Sequence, residues 1–226
     1  MKREIITTAD GSKTIHMPQL NEQYHSKHGA LQEALHVFIQ EGLAYFINRL
    51  AAESASDKSE LHILEYGLGT GLNAMLTAQY DTPQTIHYTG IEAFPISEEE
   101  MKAMTYGELL GDQILYENVH QASWGEKVAI TEKFVLTKIQ ATFQDIDFQD
   151  TFDIIYFDAF GPRTQPELWT LPIFEVAYRA LKPGGILTTY CAAGQVRRNL
   201  QEIGFAVERL PGPPGKREML RGTKKY

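Results

Sequence analysis

Three glycines at alternate positions, Gly67, Gly69 and Gly71, follow an apolar run over residues 61–66 and open a helix-compatible stretch over residues 71–80. A short apolar run bounded by turn residues predicts a buried strand. A glycine-rich turn between a strand and a helix lets a ligand approach the free backbone N–H groups at the start of the helix. The segment therefore predicts a strand-loop-helix unit that binds a ligand at the carboxyl end of the strand.

The alternation of short apolar runs and longer helical stretches continues along the chain, which favours βαβ units and a parallel sheet. Seven strands are predicted, over residues 61–66, 86–91, 128–138, 152–157, 186–190, 205–210 and 218–225. Helices are predicted over residues 71–80, 97–110, 111–121, 166–181 and 194–203, with Ser97 as a cap. No helix joins the last two strands, so they must pair antiparallel, because a parallel return needs about a dozen residues or more. We expect a Rossmann-like sheet with one reversed strand.

Residues 1–55 lie outside this alternation. Residues 4–8 and 12–16 flank Asp10-Gly11, a pair typical of a hairpin turn, and residues 30–52 repeat apolar side chains at helical spacing, with Leu31, Leu35, Phe38 and Ile39 on one side. A chain of 226 residues favours one substantial core. We interpret residues 1–55 as an extension of the same domain, and residues 56–226 as the part that carries the sheet and the ligand site.

Composition excludes several classes of protein. Hydrophobic residues make up 43% and charged residues 22%, as in ordinary globular proteins, and no apolar run is long enough to span a bilayer. The N-terminus lacks the apolar stretch of a signal peptide, and the single cysteine, Cys191, excludes a disulfide framework. We expect a cytoplasmic protein without a membrane partner. We expect no metal, since His16, His25, His28 and His36 lack the spacing and neighbours of a zinc site.

The net charge of −8 is unevenly distributed along the chain. Residues 1–150 carry 10 basic and 22 acidic side chains, whereas residues 151–226 carry 11 basic and 7 acidic ones. Lys and Arg contacts to phosphates supply most of the non-specific affinity for nucleic acids, so a polyanion would dock on the C-terminal third. Solvated surface charge is an equally good interpretation of this excess.

Glu65 distinguishes the glycine loop from a dinucleotide-binding fingerprint. The fingerprint Gly-x-Gly-x-x-Gly would place a third glycine where the chain has Leu72. The Glu65 carboxylate would repel a pyrophosphate but can pair with the cationic amino acid portion of S-adenosylmethionine. Glu92 ends the next strand, 25 positions after Gly67, where a carboxylate can accept hydrogen bonds from both ribose hydroxyls. These residues predict a nucleoside site for S-adenosylmethionine.

The acid that would hold the adenine amino group after the following strand is missing from residues 138–142. Thr142, Gln140 or Asp145 could replace it, and the sequence does not decide among them. The sequence therefore predicts a nucleoside site but does not identify the residue that contacts the adenine.

Asp158 follows the predicted strand over residues 152–157, at the carboxyl end where open α/β sheets bind ligands. A carboxylate there faces the transferring methyl group, where it can orient an acceptor amine and take up a proton as charge develops on nitrogen. A turn or helix-capping aspartate is the alternative. Phe160 and Trp169 are expected to wall the acceptor pocket, although a buried tryptophan is more often part of the core.

Two basic pairs account for much of the C-terminal excess of base. Arg197 and Arg198 lie on a predicted helix, and Lys216 and Arg217 follow a rigid Pro/Gly-dense stretch over residues 211–215. Such side chains suit phosphate contacts, with ordinary surface charge as the alternative.

Several motifs together resemble the MnmC-type tRNA methyltransferases over nearly the whole chain. They are Tyr24-His25-Ser26 and residues 29–33, 65–73, 92–95, 156–162, 166–169, Gly194 with 196–198, and 215–219. The resemblance implies the class I methyltransferase fold, here with a seven-stranded sheet, and S-adenosylmethionine as methyl donor. It also implies methylation of the aminomethyl nitrogen of 5-aminomethyl-(2-thio)uridine at the tRNA wobble position.

The same resemblance implies roles for single residues. Asp158 would be the catalytic carboxylate, and Glu33 and Lys216 would belong to the pocket. The cofactor would contact Glu65, Gly67, Gly69 and Glu92. Gly71, Asn73 and Thr142 are further candidate contacts, and the missing acid near Thr142 departs from the family's pattern.

In many proteins of this type a flavin-dependent oxidase domain follows and first strips a carboxymethyl group from the same nitrogen. This chain ends at Tyr226, so the resemblance implies a stand-alone methyltransferase half. A separate FAD-dependent oxidase or another enzyme would then form the aminomethyl group upstream.

Two other functions are compatible with the fold. One is a small-amine transferase related to polyamine synthases, which shares the nucleoside site and the acceptor aspartate but does not explain the basic pairs. The other is a catalytically silent RNA-binding or partner-binding module. The intact Glu65, Glu92 and Asp158 argue against the second function.

Overall fold

The chain begins with a small antiparallel sheet of β1 (Glu4–Thr7), β2 (Lys13–Met17) and β3 (Glu22–Gln23), in a computed structural model that describes residues 2–53 and 58–225. The predicted hairpin is confirmed, since β1 and β2 pair antiparallel across the turn at Asp10-Gly11. The Asp10 carboxylate holds this turn by accepting hydrogen bonds from Thr8 Oγ1 at 2.7 Å and from the Ser12 amide at 3.1 Å.

A continuous helix follows, consisting of α1 (Ala30–Ala34), a π-helical stretch (Leu35–Ala44) and α2 (Tyr45–Ala52). The predicted helix over residues 30–52 is confirmed. Its central turns are π-helical and therefore wider than the α-helical turns that the apolar spacing predicts. Phe38 is buried and packs on Tyr156 of the main sheet, with ring centroids 5.1 Å apart. Leu31 and Leu35, expected on the same side, are only half-buried. The helix covers one face of the sheet, and the boundary expected between residues 55 and 56 lies outside the described residues.

Within the described ranges, the main sheet contains eight strands. They are β4 (Glu60–Tyr66), β5 (Thr85–Ile91), β6 (Lys127–Thr131), β7 (Phe134–Ile139), β8 (Phe152–Phe157), β9 (Leu181–Thr189), β10 (Ala206–Pro211) and β11 (Glu218–Thr223). Their order across the sheet is β10-β11-β9-β8-β4-β5-β7-β6. The five central strands, from β9 to β7, are parallel, and β11 runs antiparallel between β9 and β10 as predicted. The predicted fold class is confirmed.

The eighth strand was not expected from the sequence. Residues 128–138, predicted as one strand, form the antiparallel pair β6 and β7. Two charged residues, Glu132 and Lys133, interrupt the apolar pattern, and Thr131 Oγ1 accepts a hydrogen bond from the Lys133 amide at 3.2 Å within the turn. The sheet therefore gains a second reversed strand, β6, at its edge.

Helices cover both faces of this sheet. After α2 they are α3 (Leu72–Ala78), α4 (Glu98–Met104), α5 (Tyr106–Leu109), α6 (Gln113–Gln121), α7 (Leu171–Ala180) and α8 (Gly194–Ile203). Ser97 caps α4 as predicted, in a reciprocal capping box with Glu100. No described helix is long and apolar enough to cross a membrane.

Two predicted helices are interrupted. The helix expected over residues 97–110 breaks into α4 and α5 at Thr105, which has a φ of 56°. The helix expected over residues 166–181 begins as a single 3-10 turn (Pro166–Trp169) and restarts as α7. Pro172 explains the second break, because proline lacks an N–H group and its ring clashes with the carbonyl group four residues earlier.

The parallel strands share one orientation, so the loops after β4, β5, β7 and β8 meet at a single edge. Two apolar layers hold this edge in place, one on each face of the sheet. The first contains Phe38, Tyr88 and Tyr156, and the second contains Tyr66 and Phe157. The alternation along β8 explains the division, because neighbouring residues of a strand point to opposite faces.

Candidate active site

The loop between β4 and α3 turns through three glycines that all have positive φ, at 91° for Gly67, 50° for Gly69 and 74° for Gly71. Gly67 is confined most tightly, since a Cβ atom there would lie 2.7 Å from the carbonyl oxygen of Asp158. The amides of Gly67 and Leu68 both donate to the carbonyl oxygen of Ile91 at 3.0 Å. The loop is thus fixed against the ends of β5 and β8.

A cavity of about 840 Å³ opens at this edge of the sheet, a volume suited to a small-molecule ligand. Residues from the loops after β4, β5, β7 and β8 meet in its walls. The residues predicted from the sequence that line it are Gly67, Gly69, Glu92, Thr142, Asp158 and Phe160. The N-terminal extension contributes the other side, through Arg3, Met17, Leu20, Tyr24 and His25.

Glu92 lies in the wall of this cavity, where its carboxylate is held by backbone donors. The Gly69 amide donates to Glu92 Oε2 at 2.9 Å, and the Phe94 amide donates to Oε1 at 2.8 Å. Each carboxylate oxygen can accept more than one hydrogen bond. Hydroxyl groups of a nucleoside could therefore still donate to Glu92.

Glu65 does not line the cavity but lies buried beneath the glycine loop. The side-chain amide of Asn73, at the start of α3, donates to Glu65 Oε1 at 2.8 Å and to Asp158 Oδ2 at 2.9 Å. Among the described residues Glu65 Oε2 has no hydrogen-bond partner. Burial, and then the charge of Asp158, raise the pKa of Glu65 well above its usual range. A buried carboxyl with an unpartnered oxygen fits an ammonium group placed at this loop.

Asp158 follows β8 and is nearly buried at the cavity wall. Burial, and then the charge of Glu33, raise the pKa of Asp158 to about 7, against the lowering effects of Asn73 and Lys216. A group with a pKa near neutrality can exchange a proton with a substrate at physiological pH. Asp158 therefore has the placement and acidity of a proton acceptor.

His25 lies next to Asp158 and the glycine loop. The sequence analysis included His25 only as part of the motif Tyr24-His25-Ser26 and predicted no role for it. Its Nε2 lies 2.8 Å from Thr70 Oγ1, and its Nδ1 lies 4.0 Å from Asp158 Oδ2. Burial lowers the pKa of His25 to about 4, so the imidazole is neutral at physiological pH. His25 therefore presents a neutral ring to Asp158 rather than a cation.

Glu33 and Lys216 form an ion pair behind the cavity wall. Glu33 Oε1 also accepts a hydrogen bond from the Ser26 amide at 3.0 Å, and Lys216 Nζ lies 3.6 Å from the centroid of the Tyr190 ring. Neither residue lines the cavity, but the charge of Glu33 raises the pKa of Asp158 and the charge of Lys216 lowers it. The pair joins the Pro/Gly-dense loop to α1, next to the candidate catalytic group.

Trp169 is part of the core rather than a wall of the acceptor pocket. Its ring is buried against Phe157 and Phe174, and its Nε1 donates to the carbonyl oxygen of Phe160 at 2.7 Å. Phe160 itself lines the cavity and packs edge-on against Tyr24, with ring centroids 5.0 Å apart. Trp169 thus supports Phe160 through a hydrogen bond to its backbone. The large apolar ring of Trp169 is more stable in the core than at the cavity wall, because burial removes it from water.

The remaining predicted contacts lie in three places. Thr142 lines the cavity and donates to Asp145 Oδ2 at 2.6 Å, whereas Gln140 and Asp145 are exposed and do not line it. Gly71 and Asn73 lie at the start of α3, below the cavity. The basic residues Arg197, Arg198 and Arg217 lie outside the cavity, with Arg198 and Arg217 exposed. None of these arginines therefore contributes to the pocket.

Comparisons with known proteins give a family and a set of relatives. The model of a family described as S-adenosyl-L-methionine-dependent methyltransferases matches residues 104–225. The tRNA 5-methylaminomethyl-2-thiouridine biosynthesis bifunctional protein MnmC of Cupriavidus necator is 32% identical over 231 residues, covering 96% of this chain and 33% of that protein. The MnmC protein of an Acidovorax species is 29% identical over 227 residues, covering 93% and 34%. The chain spans about a third of the length of these curated relatives.

Solved structures show the same fold. MnmC2 from Aquifex aeolicus aligns over 99% of this chain and 70% of its own, with a TM-score of 0.74 and 24% identity. A spermidine synthase from Thermotoga maritima aligns over 99% and 69%, with a TM-score of 0.61 and 12% identity. The matches to curated MnmC proteins agree with the resemblance found in the sequence.

Proposed function

Because this chain belongs to the S-adenosyl-L-methionine-dependent methyltransferase family, we propose that it methylates the aminomethyl nitrogen of 5-aminomethyl-(2-thio)uridine at the wobble position of tRNA. The observation that carries this proposal is Asp158, a cavity-wall carboxyl with a pKa raised by burial to about 7. The curated relatives, named for biosynthesis of this nucleoside, support the choice of acceptor.

The residues around the glycine loop fit S-adenosylmethionine. Glu65 would pair with the ammonium group, Glu92 would accept hydrogen bonds from the ribose, and Thr142 would contact the adenine. Gly67, Gly69 and Gly71 leave room for the ligand beside the backbone, and Asn73 holds Glu65 in place. When bound, the cofactor supplies an electrophilic methyl group.

In the proposed reaction Asp158 accepts a hydrogen bond from the acceptor amine and directs its lone pair toward the methyl carbon. Bound S-adenosylmethionine would supply the methyl group to this nitrogen, and Asp158 would take up the proton that the nitrogen loses. Holding the two reactants in line supplies much of the acceleration. Phe160 and Tyr24 line the space in which the modified base would lie.

The tRNA would bind across the C-terminal third of the chain. Arg197, Arg198 and Arg217 lie outside the cavity, where they can contact phosphates. A tRNA substrate implies a cytoplasmic reaction. The aminomethyl group must be formed first, by an FAD-dependent oxidase or by another enzyme. We also propose that residues 1–55 extend the same domain, since Phe38 packs on the main sheet.

The experiment uses tRNA that lacks the terminal methyl group, incubated with the protein and isotopically labelled cofactor. Mass spectrometry of the digested nucleosides should show one labelled methyl group on the wobble uridine. Asp158→Ala should lower turnover by roughly 100-fold or more while cofactor affinity, measured by calorimetry, changes only a few fold.

Asp81→Ala, a change at an exposed aspartate, serves as the matched control. Equal loss of turnover and cofactor affinity in Asp158→Ala would make Asp158 a cofactor-binding or structural residue. In a parallel incubation with a polyamine in place of tRNA, transfer of label to the polyamine, with none transferred to tRNA in the first incubation, would favour the small-amine transferase instead.

A further inference from the structure

The opposite, amino-terminal end of the main sheet carries a second cluster of chemically active side chains, Glu60, His62 and His87. Glu60 and His62 are two residues apart on β4 and therefore point to the same face. His87 of β5 pairs in register with His62 across the parallel ladder. The strand pairing thus brings three metal-ligating side chains together.

Their possible ligand atoms lie close together. His62 Nε2 lies 3.8 Å from Glu60 Oε2, and His87 Nε2 lies 3.7 Å from Glu60 Oε1. The two imidazole rings are stacked, with centroids 4.8 Å apart and planes inclined by 12°. One ligand atom from each residue lies within 4.8 Å of the other two. We propose that Glu60, His62 and His87 bind a divalent transition-metal ion, with Zn²⁺ as the representative ion.

The spacing is close to what zinc requires. Two ligands about 2.1 Å from a tetrahedral ion lie about 3.4 Å apart. An imidazole binds an ion in the plane of its ring, so one of the two stacked rings must rotate out of the stack for both histidines to coordinate the same ion. Among the described residues His87 Nε2 is buried without a hydrogen-bond partner. An ion would satisfy this nitrogen, which neighbouring side chains leave unpaired.

The charges around the cluster leave Glu60 available. Lys58 and Lys182 lie nearby, but both donate to the buried carboxylate of Asp153, which also accepts a hydrogen bond from the His62 amide at 2.8 Å. Glu60 is 58% exposed, so an ion can reach it from solvent. Asp153 therefore neutralises one of the two lysine charges, and the exposed Glu60 remains the anionic ligand.

The ligand set also selects the ion. Two imidazoles and one carboxylate suit Zn²⁺, Cu²⁺ or Ni²⁺, whereas Mg²⁺ prefers oxygen ligands. Three protein ligands leave at least one position for water.

The site lies well away from the cavity. Glu60 is five residues from Glu65, which corresponds to roughly 16 Å along β4. The ion would join β4 to β5 without touching the cavity, so this inference does not depend on the proposed function.

The test is calorimetric titration of ZnCl₂ into untagged, EDTA-treated full-length protein. We expect one Zn²⁺ per chain and no binding of MgCl₂. Glu60→Gln and His62→Gln should each weaken Zn²⁺ binding by about tenfold or more. His36→Gln serves as the control, since His36 contacts the Pro211 carbonyl oxygen far from the cluster.

A spectroscopic readout identifies the ligands independently. Electron paramagnetic resonance of the protein with one equivalent of Cu²⁺ should show coupling to two imidazole nitrogens, reduced to one in His87→Gln. Circular dichroism establishes whether each variant is folded, and the exposed Glu60→Gln decides the test if a histidine variant is not. Absence of Zn²⁺ binding, or binding unchanged in Glu60→Gln and His62→Gln, would overturn the proposal.

Discussion

The side-chain amide nitrogen of Asn73 lies 2.9 Å from Oδ2 of Asp158 and donates a hydrogen bond to it. The same nitrogen donates to Glu65 at 2.8 Å. One amide therefore joins the carboxyl proposed to bind the cofactor to the carboxyl proposed to accept the proton. The two halves of the site share a single positioning group at the start of α3.

Asn73→Ala should impair both functions, because each carboxyl loses its hydrogen-bond donor. Hydrogen bonds to charged groups contribute about 1.5–3 kcal/mol, which corresponds to a loss of roughly 10- to 100-fold. Steady-state kinetics and cofactor calorimetry measure the two effects, with Asn118→Ala on the exposed side of α6 as the control. A loss of cofactor affinity with unchanged turnover would show that Asn73 serves Glu65 alone.

The rate should depend on the protonation of Asp158, whose pKa is raised to about 7 by burial and by Glu33. A proton acceptor must be ionised, so kcat/KM should rise with pH through about 7. Glu33→Gln should move this midpoint to lower pH because it removes a negative charge. Lys216→Met should move it to higher pH because it removes a positive charge. A shift of both midpoints in the same direction would contradict this assignment.

The raised pKa of Asp158, caused mainly by burial, also has a stability consequence. The carboxyl ionises above about 4 when unfolded but only above about 7 when folded, so stability falls as pH rises between these values. Asp158→Asn removes this cost and should raise the Tm by a few degrees at pH 8, with little effect at pH 4. Thermal unfolding of Asp81→Asn provides the control. An equal gain in Tm at both pH values would show that ionisation of Asp158 does not destabilise the fold.

Cofactor binding should release a proton from Glu65. Burial and the charge of Asp158 raise the pKa of Glu65 well above its usual range, and an ammonium group beside it favours the ionised form. Calorimetry in buffers of different ionisation enthalpy should detect up to one released proton, which Glu65→Gln abolishes. 5′-Methylthioadenosine lacks the amino acid portion and should release none; release of a proton by this ligand would assign the proton to another group.

Substituting Arg197 and Arg198 together by alanine should weaken tRNA binding and reduce its salt dependence. Loss of two phosphate contacts lowers the slope of log K against log salt by roughly 1.4 to 1.8. Filter binding over a range of salt concentrations measures this slope. Lys127→Ala, an exposed change on the far edge strand β6, should leave it unaltered. An unchanged slope in the double variant would remove these arginines from the interface.

Local patterns in the sequence were enough for the central part of the fold. The apolar run before Gly67 and the glycines after it predicted β4 and α3, because a buried strand and a positive-φ turn depend on neighbouring residues. The predicted ends of β8 and α8 agree with the structure for the same reason. The order of strands and helices also placed Glu92 and Asp158 at one edge, since the ends of parallel strands coincide.

Contacts between distant residues depended on the tertiary structure. Glu33 and Lys216, 183 positions apart, form an ion pair because packing of α1 brings them together. The pairing of His62 with His87 follows from the register of β4 on β5, which neither strand specifies alone. Trp169 lies in the core because its ring packs against those of Phe157 and Phe174, which come from other elements of the fold.

The sequence by itself determined the glycine loop, the succession of strands along the chain and the position of Asp158 directly after a buried strand, because glycine spacing and apolar periodicity are local signals. Only the tertiary structure decided that Asn73 bridges two carboxyls and that Asp158 has a pKa near 7, which it reaches mainly through burial and the nearby Glu33. Burial and electrostatic environment depend on every element packed around a group, so they arise only when the chain is folded.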